Sequence, residues 1–202
     1  MTDASRQAST DHPVHELVAS RWSPYVLDSK PIAGTDLKSI FEAARWAASS
    51  YNEQPWSFIV GTKDGSPAIH EKVLSCLVEP NQAWAHAAPV LALGVASLRF
   101  KRNDKPNGVA LHDLGTAAAQ LTFEATARGI CVHQMGGILP DRAAEIFAVP
   151  EGHQVVTGIA LGYAGDPANA DAALVERDQG ERTRRPLSEF VFGESFGSAA
   201  SL

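Results

Sequence analysis

Apolar and polar positions alternate along this chain with two different periods. Leu37, Ile40, Phe41, Ala44 and Ala47 recur at helical spacing, so a helix is expected to open at Thr35 or Asp36 and run through LKSIFEAARWAA. A second helical stripe, Leu111, Leu114, Ala118, Leu121 and Ala125, predicts a long helix over 109–128 closed by Gly129. Trp56 to Thr62 alternates and is β-branched, which predicts a strand. Pro89 to Ser97 is almost continuously apolar, as in a strand buried on both faces, and 153–163 predicts another central strand. Shorter patterns predict a helix from Asp11 to about Ser20, a helix over 67–78, a strand over 130–133, and a helix from Pro140 or Asp141 to Phe147. Residues 1–10 read as a frayed tail, and the chain after Asp166-Pro167 reads as polar and irregular. Helices interleaved with a few strands place the fold in the α+β or α/β class.

The length of 202 residues fits one domain, and 45% hydrophobic residues suffice for a core. A net charge of -6, from 17 basic and 23 acidic residues, argues against nucleic acid as the main partner. No run of eighteen apolar residues and no apolar leader occur, so neither a membrane span nor a signal peptide is expected, and the expected location is cytoplasmic. Cys76 and Cys131 read as reduced core thiols.

The familiar chemistries find no support. His12 and His15 share a helical spacing but lack a third ligand, so no metal is expected. His112 and Asp113 are adjacent, and neighbouring helical positions point apart, so Asp113 reads as a first-turn carboxylate favoured by the helix dipole. No nucleophile elbow, Walker loop or dinucleotide fingerprint is present. What remains is a set of hydrogen-bonding surfaces, the pattern of a protein whose cofactor carries the chemistry. The loop AASSYNEQPWSF, 47–58, is the clearest of these surfaces: small hydroxyls and amides grouped around one proline.

Five separated stretches resemble the FMN-dependent nitroreductase family, over about residues 12–192. Arg21-Trp22-Ser23-Pro24-Tyr25 is similar to a basic element after the first helix, with Trp22 and Tyr25 where basic residues are common. Ala48 to Trp56 resembles a Pro-Ser-x-x-Asn-x-Gln-Pro-Trp loop, with Ala48 in place of the proline; Ser49, Ser50, Asn52 and Gln54 would meet the flavin of the other subunit. Asn81 matches an asparagine that bonds the ring, and Trp84 stands where some relatives carry lysine. His133-Gln134-Met135-Gly136-Gly137 matches the segment passing the flavin edge, with Gly136 where some relatives are acidic. Arg182-Thr183-Arg184-Arg185-Pro186-Leu187 resembles the closing basic element, with Arg184 the first choice for the phosphate and Arg182 assisting.

The resemblance implies an α+β, three-layer α/β/α sandwich around a mainly antiparallel sheet, in one domain over 11–202. It implies an interlocked homodimer with FMN at the interface and a C-terminal arm wrapping the partner subunit. The implied activity takes hydride from NADH or NADPH and reduces nitroaromatic or quinone-type acceptors in ping-pong order. The same resemblance leaves open a flavin-storage module, or dehydrogenation or dehalogenation on this fold. It names no proton donor.

Overall fold

The computed structural model describes residues 6–202. Its centre is β5 (His153–Ala164), which pairs antiparallel with β3 (Val90–Ser97), β4 (Cys131–Met135) and the two-residue β1 (Leu27–Asp28). The sheet is completed by β2 (Trp56–Thr62), antiparallel to β3. Alternation in β3 sorts its side chains by face. Leu91, Leu93 and Val95 pack toward α3 (Pro67–Ser75), α4 (Glu79–Ala85) and α6 (Pro140–Ile146). Val90 and Ala92 pack toward α2 (Gly34–Arg45) and the long α5 (Ala110–Ala127). The result is the expected three-layer α+β sandwich, with apolar strands at its middle because both faces are covered.

Several expectations are corrected. The first helix, α1, is only Glu16–Ser20; His15 caps it by accepting the Leu17 N–H at 3.2 Å, and Asp11 takes no part. The expected tail is divided: residues 1–5 lie outside the described residues, while Ala8 N–H donates to Ala19 O at 3.0 Å. The expected helix 67–78 ends at Ser75, and α4 follows it. The C-terminal third is not wholly irregular, since α7 spans Ala172–Gln179 with Asp171 capping it through the Ala173 N–H. Beyond it, Phe192 bridges Ala199 in a small turn, while Phe196 and Leu202 are each 95% exposed.

One buried and one half-buried histidine couple this fold to pH. His70 Nε2 donates to Ala88 O at 2.9 Å, and His133 Nδ1 donates to Pro24 O at 3.0 Å. Burial holds both below the ordinary histidine value of 6.5. In the unfolded chain they take up protons that the folded chain refuses, so their contribution is present above pH 6.5 and is lost as pH falls below it. Thermal melts at about pH 7.5 and about pH 5.5 are expected to show the lower Tm at the acid value, and the gap should shrink in a His70→Gln, His133→Gln double variant.

Candidate functional site

Basic residues from both ends of the chain meet beside β4. Arg182 of the C-terminal segment donates to the carbonyls of Ala19, at 3.2 Å, of Arg21, at 2.7 Å, and of Arg6. It therefore staples the chain before and after α1 to the segment beyond α7. Arg21 donates to Ser23 Oγ at 3.2 Å, and the Ser23 hydroxyl docks on Val132 O at 3.0 Å. Arg6, Arg21, Arg182 and Arg184 line one cleft of about 490 Å³. Burial pulls the Arg21 and Arg182 guanidinium values down, and their neighbouring arginines pull them further. Of the two carboxylates lining the cleft, Asp178 and Glu181, Asp178 is committed to the backbone, accepting the N–H groups of Tyr25 and Val26 at 2.8 and 2.9 Å. Arg6 Nε is buried and has no hydrogen-bond partner among the described residues. Like charges this crowded, with an orphaned donor among them, have the chemistry of an anion site.

From Val132 the strand leads about 13 Å, four residues at strand rise, to Gly136. There Asn81 Nδ2 donates to Gly137 O at 2.9 Å, which joins α4 to the turn after β4. Asn81 is the third residue of α4. A Cβ at Gly136 would meet nothing within 4 Å, whereas one at Gly137 would lie 2.5 Å from Asn81 Nδ2 and 2.9 Å from Val78 Cγ2. Gly136 is an open backbone position that a flat ring can approach; Gly137 is already filled by Asn81. Gly136→Ala is expected to change stability by less than about 0.5 kcal/mol and Gly137→Ala to lower it by about 1–2 kcal/mol, both read by urea unfolding.

Four of the proposed contact residues have partners within the chain. The Met135 side chain lies in the core against Gly158, and its carbonyl accepts from Thr157 Oγ1 at 3.1 Å. The Tyr25 hydroxyl accepts from Arg177 at 2.8 Å while its ring packs edge-on against His133 and Trp84, with centroids 4.7 and 5.2 Å away. Gln134 Nε2 donates to Thr122 Oγ1 at 3.1 Å on α5. Trp22 lies under the Arg6 guanidinium, 5.2 Å from its ring centroid. Arg6 and Arg177 carried no signal in the sequence, because each reads as a solvated cation in a polar stretch.

The 49–54 loop stands apart from this line. Tyr51, Asn52 and Gln54 have φ of 53°, 57° and 51°, a left-handed conformation that costs about 1–2 kcal/mol per non-glycine residue. Local bonds hold it: Gln54 N–H donates to Ser49 Oγ at 3.0 Å, and Gln54 Nε2 donates to Asn52 O at 3.0 Å. The Ser50 N–H donates at 3.0 Å to Asp113, in the first turn of α5. Thr122, the partner of Gln134, is nine residues further along α5, about 13 Å by helical rise. One chain therefore presents two half-sites: a basic strand edge, and a strained polar loop.

The core match to a known family covers residues 18–163, which fit the Nitroreductase family. The chain belongs to the nitroreductase family. It is 37% identical over 146 residues to an uncharacterised 15.4 kDa protein of Mycolicibacterium smegmatis, a match covering 70% of this chain and 97% of that protein. It is 31% identical over 94 residues to the major NAD(P)H-flavin oxidoreductase of Aliivibrio fischeri, covering 46% of this chain and 43% of that protein. Among solved structures, one described as an oxidoreductase containing FMN superposes with a TM-score of 0.88 at 33% identity, covering 98% of this chain and 100% of its own. Among the described residues, no group of three metal-ligating side chains clusters, and no helix is long and apolar enough to cross a membrane. Within the nitroreductase framework, the basic cleft, Gly136 and the strained loop fall on four of the five stretches that suggested the family.

Proposed function

We propose that this chain is an FMN-dependent, NAD(P)H-oxidising reductase of nitroaromatic or quinone-type acceptors. The observation that carries the reading is the arginine cleft with its orphaned Arg6 Nε. Arg21 and Arg184 would hold the FMN phosphate, with Arg182 assisting through the donors left after it binds three carbonyls. Ser23 and the edge of β4 would flank the ribityl chain, and Gly136 with Asn81 would face the ring. The cofactor, when bound, supplies the two-electron relay between a nicotinamide donor and an acceptor that occupy one face in turn.

The two half-sites of one chain do not meet, and a homodimer joins them. In it, Ser49, Ser50, Asn52 and Gln54 of one protomer would complete the flavin slot of the other, in a single domain over 11–202 working in the cytoplasm. The exposed Phe196 and Leu202 suit a C-terminal arm that lies on the partner subunit.

The test is a visible spectrum of purified protein loaded with FMN and desalted. Retained flavin bands that bleach anaerobically with NADH or NADPH support the reductase and rank the donors. Retained bands that no nicotinamide bleaches favour flavin storage. Loss of all flavin overturns the reading.

A further inference from the structure

The structure brings together two side chains that adjacent helical positions normally separate. On the first turn of α5, the His112 Nδ1–H donates at 3.1 Å to Oδ1 of Asp113. The two members differ sharply in exposure: the His112 side chain is 79% exposed and that of Asp113 only 4%. The other oxygen of Asp113 accepts the Ser50 N–H at 3.0 Å. One buried carboxylate therefore fixes both the imidazole and the strained loop. Because the proton on Nδ1 is committed to Asp113, proton exchange is left to Nε2, on the solvent side of the ring.

We infer that His112 is the general acid of the acceptor half-reaction, with Asp113 as its positioning residue. The inference rests on the proposal above that the 49–54 loop completes the flavin slot of the other protomer, since one carboxylate, Asp113, holds both the Ser50 N–H of that loop and the His112 ring. Reduction of a quinone-type acceptor to a hydroquinone adds two electrons and two protons. Hydride from the reduced cofactor brings both electrons and one proton. The second proton leaves His112: its Nε2–H bond breaks as the acceptor O–H bond forms, and the neutral imidazole is recharged by water at its exposed face. The Ser49 and Tyr51 hydroxyls of the loop are the competing donors, and neither is held by a carboxylate as His112 is. Ser49 accepts the Gln54 N–H, and the Asn52 and Gln54 amides are bonded to each other. Asp113 keeps the imidazole in the tautomer that presents Nε2.

The test separates the half-reactions by stopped flow on the FMN-loaded protein. In His112→Ala and His112→Gln, flavin retention and bleaching by the nicotinamide donor should match the parent. Reoxidation by a quinone should slow about 100-fold, the low end of general-acid contributions. Added imidazole should restore much of the rate in His112→Ala but not in His112→Gln. A second reading needs no turnover: titrating the oxidised, loaded protein with the hydroquinone product should shift the His112 ring ¹⁵N signals. Reoxidation at the parental rate in both variants, or an unmoved His112 signal at saturating hydroquinone, overturns the assignment while leaving the reductase intact. A parent protein that no nicotinamide bleaches removes the reductase reading and this inference together.

Discussion

Arg21→Ala is expected to raise the FMN dissociation constant about 30-fold, close to 2 kcal/mol of lost charge-assisted hydrogen bonding, without lowering the melting temperature of the cofactor-free protein. The two effects separate because Arg21 does little for its own fold. Its guanidinium donates only to Ser23, whose hydroxyl is also anchored on Val132. Burial, and then Arg184, make its charge costly to keep. Removing that charge relieves repulsion in the cofactor-free state and removes attraction in the loaded one. Arg182→Ala should behave differently, losing stability as well as FMN, because Arg182 staples the segments around α1 to the chain end. Isothermal titration with FMN and thermal melts of both variants check the pair. An Arg21→Ala protein that binds FMN with parental affinity would move the phosphate out of this cleft. High salt should weaken parental binding, since the attraction is electrostatic.

The sequence made the sheet legible because β3 and β5 are buried on both faces, and few other arrangements tolerate such continuous apolar runs. It also grouped Arg21, Arg182 and Arg184 correctly, although only family resemblance joined segments 161 residues apart. Helix α4 was hidden because only Trp84 and Ala85 of its seven residues are buried, too few to show a period. Helix α7 has no buried residue at all; its place is fixed by Asp178 capturing the Tyr25 and Val26 N–H groups, a long-range contact without local signature. The pairing of His112 with Asp113 failed for a different reason. Neighbouring helical positions diverge by about 100°, but in a first turn no preceding turn constrains the side chains, and they can bend toward each other. Met135 shows why a matched segment does not supply every contact. A strand segment matched to a flavin edge still alternates, so every second side chain turns to the core.

The second large effect concerns Trp84, which anchors α4 in the core. It is 1% exposed, packs 4.4 Å from the His133 ring and 5.2 Å from Tyr25, and lies one turn after Asn81 on α4. Trp84→Ala is expected to cost about 3–5 kcal/mol, as for other large aromatic truncations in cores. Trp84→Phe should cost far less, under about 1.5 kcal/mol, for a reason visible in the structure. Trp84 Nε1 is buried without a partner among the described residues, and a buried unsatisfied donor costs about 1–3 kcal/mol. Phenylalanine removes that penalty while keeping most of the packing, so the lost volume is offset. Urea unfolding followed by circular dichroism measures both variants. The cavity in Trp84→Ala also frees α4 to shift, which loosens the Asn81 bond to Gly137, so FMN affinity should fall with stability in that variant and hold in Trp84→Phe. If Trp84→Phe were as damaging as Trp84→Ala, the indole N–H would have a partner in solution, and an ordered water bridging it to His133 would be the first place to look.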